Sequence, residues 1–106
     1  MDARTREALE ASIKHWEMNV AAGSTADVSV QESSCALCRE FIDSGCRDCP
    51  VFERSGRAFC RDTPYIQACR ALARWKSYPY ERREFSLAAQ AELDFLRSLL
   101  PSEQEA

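Results

Sequence analysis

Glycine and proline are scarce in this chain, three and four in 106 residues. That scarcity argues against a loop-rich scaffold and against an all-β sandwich, whose many turns draw on both. There is one histidine, His15, beside Trp16. A lone imidazole there reads as a surface or half-buried residue rather than a base or a ligand. No run approaches the roughly 18 consecutive apolar residues that a membrane span needs, and no glycine-rich loop is present to cradle a phosphate. Strand-like alternation extends no further than Asp27 to Gln31. The start, MDARTREALEASIKHWE, carries a charge every few residues and is unlike a secretory leader, so the chain is expected to be cytoplasmic and without a membrane anchor.

What is present is an ordinary globular balance, 45% hydrophobic and 29% charged, with length for one domain over residues 1–106. Leu9, Ile13, Trp16 and Val20 recur at helical spacing and predict a first helix over 5–22, inside a segment 1–23 closed by Gly23. Asp2 or Thr5 is positioned to cap its start. Residues 24–34 are small and polar and read as a linker, with Val28 and Val30 clipping it to the core. A cysteine-rich module occupies 35–62, with short helices expected in CALCREFI and in CPVFERSG, the latter with Pro50 at its first position.

Thr63-Pro64 then opens a helix to Ser77, with Tyr65, Ala68, Cys69, Leu72 and Trp75 on one stripe and Pro79 ending it. A last helix is predicted over 86–100, completing a helical hairpin over 63–100, before a polar tail over 101–106. Ala89, Leu93, Leu96 and Leu100 form one apolar seam on it, and Leu87, Ala91, Phe95 and Leu99 a second. Two seams exceed what a lone surface helix needs, so this helix either sits centrally among the others or forms a homodimer contact. The expected fold is a mainly α small domain packed around Trp16, Leu72, Trp75, Leu93 and Leu96, with a cysteine-rich metal-binding loop at one end. The alternative is an α+β fold with a zinc-ribbon-like hairpin.

Six cysteines are many for 106 residues, and in a reducing cytosol they point to metal rather than disulfides. Cys35 and Cys38 make one Cys-x2-Cys pair and Cys46 and Cys49 a second. A two-residue gap lets the backbone turn so that both thiolates face one point. Two such turns supply a tetrahedral set at about 2.3 Å, filling zinc's coordination and leaving no open position for catalysis. Cys60, eleven residues after Cys49, is the competing fourth ligand. An iron-sulfur cluster is the alternative cofactor, since it also takes four thiolates. Cys69, alone on a helical stripe, reads as a buried small hydrophobe.

The strings CALCREF, GCRDCPVFERSGRAFC and RDTPY resemble small uncharacterised cysteine-rich proteins of bacteria and their phages. The resemblance covers residues 35–65. It implies a metal-binding module, gives Cys60 the same standing as the four paired cysteines, lends none to Cys69 and carries over no catalytic residue.

Charge is unevenly distributed: −3 over residues 1–34, +4 over 35–83 and −4 over 84–106. Arg54, Arg57, Arg61, Arg70, Arg74, Lys76, Arg82 and Arg83 are candidates for one basic face that contacts nucleic acid or an acidic protein partner. The competing use of the same side chains is to pair with the acidic first and last helices or to screen a four-thiolate zinc site, formally −2. With no nucleophile and base, no paired carboxylates and no open metal position in view, the sequence favours a non-catalytic binding or adaptor module held by a structural zinc site. The alternative function is a thiol redox protein using the Cys-x2-Cys pairs.

Overall fold

In the computed structural model, residues 1, 3–30, 37, 41, 49–55 and 63–100 are described. They form a mainly α structure with three long helices, and no strand occurs among the described residues. Helix α1 spans Ala3–Ala21, α2 Pro50–Ser55, α3 Pro64–Ser77 and α4 Arg82–Ser98. No helix is long and apolar enough to cross a membrane among the described residues.

Helix α4 packs against both α1 and α3. The first of its two predicted seams explains this position: Ala89, Leu93 and Leu96 are buried, and Phe85 and Glu92 join them. Of the second seam, Phe95 and Leu99 are half-buried while Leu87 and Ala91 face solvent. From α3, Ala68, Leu72 and Trp75 meet this surface; from α1 come Ala8, Leu9, Ile13 and Trp16. All five residues around which the sequence centres the core are buried. Trp75 stacks on Phe85 with ring centroids 5.5 Å apart, and the Trp16 ring meets Tyr65 edge-on at 6.3 Å. Such pairs add to the free energy of area burial and tie α3 to its two neighbours.

The start of α4 and the capping bond of α3 differ from the sequence reading. Helix α4 begins at Arg82 rather than Ser86. The turn after α3 is complete by Glu81, whose N–H donates to Tyr78 O at 2.9 Å, so Arg82 can already wind into a helix and bring Phe85 into the core. At α3, Thr63 has the extended backbone of a cap residue, and its carbonyl accepts the Ile66 N–H at 3.3 Å. Its hydroxyl makes no capping bond; Pro64, which has no N–H to satisfy, supplies the start. Helix α1 begins at Ala3 rather than at residue 5 and ends at Ala21, so of the two cap candidates Thr5 lies inside the helix, while Asp2 lies outside the described residues.

The segment after α1 is held by polar side chains of that helix. Asn19, 1% exposed, brackets Ser29: its Nδ2 donates to Ser29 O at 3.1 Å and its Oδ1 accepts the Ser29 N–H at 3.4 Å. His15 Nε2–H donates to the same carbonyl at 2.7 Å, so the lone histidine is a half-buried structural donor. Val28 and Val30 are partly buried against the core as expected, and the Tyr65 hydroxyl donates to Val30 O. A buried backbone must find partners for its polar groups, and these side chains supply them where no regular structure does.

Candidate metal centre

Of the five cysteines that the sequence pattern nominates, Cys35, Cys38, Cys46 and Cys60 lie outside the described residues. Cys49 is described and is buried, 6% exposed. Both Cys-x2-Cys pairs have a residue anchored on the helical body. Leu37, inside the first pair, is helical and 2% exposed, and its N–H donates to the Ser12 Oγ of α1 at 3.3 Å. Phe41 is helical too and packs partly buried on the core. Cys49, the last residue of the second pair, leads into Pro50 and Val51, both buried. Leu37, Cys49 and Val51 belong to one cluster with Leu9, Trp16, Leu72 and Leu96.

Helix α2 is the short helix expected of CPVFERSG, with Pro50 at its first position. Six residues cannot hold a helix by backbone bonding alone, so its stability comes from contacts. Val51 gives it an apolar anchor. Arg54 ties it to the end of α4, donating from Nη2 to Ser98 O at 3.3 Å and from Nη1 to Ser98 Oγ at 3.5 Å.

The donor chemistry fits a thiophilic metal. A thiolate in Cys49's apolar surroundings is unfavourable unless a cation binds it directly, as a zinc ion would. The residues that would hold it are Cys35, Cys38, Cys46 and Cys49, with Cys60 as the competing ligand. Among the described residues there is no cluster of three or more His, Cys, Asp or Glu side chains suited to a metal; these residues include only Cys49 and Cys69 of the six cysteines.

Cys69 stands in a different environment. It is half-buried on α3, and burial pushes its thiol above the usual range; a hydrogen bond with Tyr65 opposes the shift, and the charge of Glu92 on α4 adds to it. The shift disfavours the thiolate form that disulfide exchange uses.

Basic side chains assigned to a binding face divide into two groups. Three serve the fold. Arg54 reaches the end of α4, Arg82 Nε donates to Ala22 O just beyond α1 at 3.0 Å, and Arg74 makes a two-bond pair with Glu81 at 2.9 and 3.0 Å. Arg54 and Arg82 thus place positive charge where helix carbonyls lack internal partners. Arg70, Lys76 and Arg83 are exposed and form no ion pair or hydrogen bond among the described residues. Arg57 and Arg61 lie outside those residues. Elsewhere, Arg97 of α4 pairs with Glu17 of α1 at 3.1 Å, bringing together helices from opposite ends of the sequence.

Comparison with protein-family models, curated proteins and solved structures finds no match to this chain. The sequence reading missed the anchoring role of Ser12 and Asn19. Their signal is positional: they are small polar residues seven apart on the helix, between the arc of Leu9, Ile13 and Trp16 and the also buried Ala8. Glu92 is a similar case, a buried carboxylate between Ala89 and Leu93 on the core side of α4.

Proposed function

We propose that this chain is a non-catalytic binding module in which one structural zinc, held by four cysteine thiolates, fastens the segment 35–62 to a helical body. The observation that carries this reading is the shared burial of Leu37 and Cys49, one from each Cys-x2-Cys pair, in the core built by α1, α3 and α4. Two turns anchored on one surface can converge their thiolates at little further cost in chain entropy. Four such ligands complete a zinc site with no position for water, so the metal's contribution is to folding rather than to a reaction. The contact surface for a nucleic acid or an acidic partner is the one carrying Arg70, Lys76 and Arg83, the basic side chains of α3 and α4 that the fold does not use.

Hydrogen exchange before and after chelation tests the proposal. Removing zinc should expose amides across residues 35–61 first, leaving α1 and α4 protected by their own seams. Unchanged exchange in that segment after chelation would overturn it. Visible absorbance of the purified protein would replace zinc with an iron-sulfur cluster.

A further inference from the structure

The turn between α3 and α4 presents two tyrosines to solvent. Tyr80 is 79% exposed and Tyr78 49%, with ring centroids 6.0 Å apart and planes inclined by 50°. Elsewhere among the described residues Trp16, Trp75 and Phe85 are buried and Phe41, Tyr65 and Phe95 are partly buried, so two exposed rings side by side stand out.

The backbone that carries them is fixed. Pro79 restricts φ between the two rings. Tyr78 N–H donates to Arg74 O at 2.7 Å and Glu81 N–H to Tyr78 O at 2.9 Å, while the Arg74–Glu81 pair closes the turn through side chains. The turn backbone that carries the rings is thus ordered before binding, which lowers the entropic cost of binding there.

Cations flank this display in the sequence. Lys76 precedes it by two residues and Arg83 follows Tyr80 by three, both exposed and with no partner among the described residues. Arg70, four residues before Arg74, lies on the face of α3 that runs outward into the turn. Glu81 is neutralised by Arg74, so Glu84 is the opposing charge beside the rings. Bases stack on aromatic faces regardless of sequence, and flanking cations track the phosphates; a duplex keeps its bases stacked on one another and cannot use the rings.

From this arrangement we infer that the α3–α4 turn is a binding site for single-stranded nucleic acid, with bases stacked on Tyr80 and Tyr78 and phosphates met by Lys76, Arg83 and Arg70. The inference deepens the binding-module reading and rests on it, but its residues lie apart in sequence from the proposed zinc ligands, so the two can fail separately.

The test is fluorescence anisotropy of a fluorescein-labelled oligothymidylate of about 20 nucleotides, titrated with the full chain at low salt, with zinc content measured on the same samples. Saturable binding is expected, about tenfold weaker for Tyr80→Ala and near wild type for Tyr80→Phe. Lys76→Gln and Arg83→Gln should each reduce the log–log salt slope by about 0.7. Absence of binding, indifference to Tyr80→Ala, equal binding of a duplex, or binding confined to phosphatidylserine vesicles would each overturn the inference. Tyr80-dependent binding by zinc-free protein would uphold it and count against the structural zinc; a zinc-loaded chain that binds no oligonucleotide would do the reverse.

Discussion

The Ser12 hydroxyl of α1 accepts the backbone N–H of Leu37, 25 residues further along the chain, at 3.3 Å. Leu37 lies between Cys35 and Cys38, so this bond joins the first cysteine pair to the first helix. Its side chain is buried at the same point, and the N–H would otherwise face an apolar interior without a partner.

Replacing Ser12 with alanine should therefore lower stability by about 1–3 kcal/mol, the cost of leaving a buried donor unsatisfied. The effect should also be local, with faster exchange at the Leu37 amide than at amides of α4. Chemical denaturation gives the total and hydrogen exchange the location. A variant as stable as the parent would mean that water or another acceptor replaces the hydroxyl.

Phe85 is 1% exposed and stacks on Trp75. Truncating it to alanine removes a ring from the contact between α3 and α4 and should cost about 3–5 kcal/mol in chemical denaturation. The emission of Trp75 should change in the folded baseline as well, because its stacking partner is gone. Leu87→Ala, on the exposed side of the same helix, should be nearly neutral and serves as the control.

The Arg74–Glu81 pair sets a pH dependence whose sign follows from the carboxyl group. Hydrogen bonding to Arg74 holds the Glu81 carboxyl below its usual range. Between the lowered folded value and the ordinary value the unfolded chain binds more protons, so stability rises with pH across that window. The contribution is complete above about pH 4.5 and is lost as pH falls through the folded value. Glu81→Gln should flatten this part of the stability curve, and added salt should shrink the difference between the two proteins, since the pair is at the surface. Parallel acid limbs for the two proteins would contradict the assignment.

The helices were legible in the sequence because their signal is periodic and local. Leu9, Ile13 and Trp16, and Ala68, Leu72 and Trp75, recur at the spacing that one buried helical face requires, and each of them is buried. Thr63-Pro64 and Pro79 bracketed α3 by steric rules that act on neighbouring residues. The start of α4 was harder, because Arg82 and Arg83 look like surface charges and only tertiary packing shows that Phe85 belongs to the core. The uses of Ser12, Asn19, Arg54 and Arg82 were not legible for the same reason: each serves a backbone group that the fold brings from elsewhere in the chain. For the proposed metal centre, spacing nominates candidate ligands through the chemistry of thiolates. Of those candidates the described residues include Cys49, whose burial in one cluster with Leu37 and Val51 no spacing rule could supply.

Metal stoichiometry of protein purified without added zinc, measured together with thiol titration, tests the structural zinc site most directly. About one zinc per chain is expected, with the thiols that bind it shielded from reagent until a chelator is added. Cys38→Ser should lose the metal, whereas Cys69→Ser should keep it, because Cys69 sits half-buried on α3, outside the proposed ligand set. Metal-free protein whose Cys-x2-Cys pairs cycle readily between dithiol and disulfide would contradict the account and make the chain a redox protein.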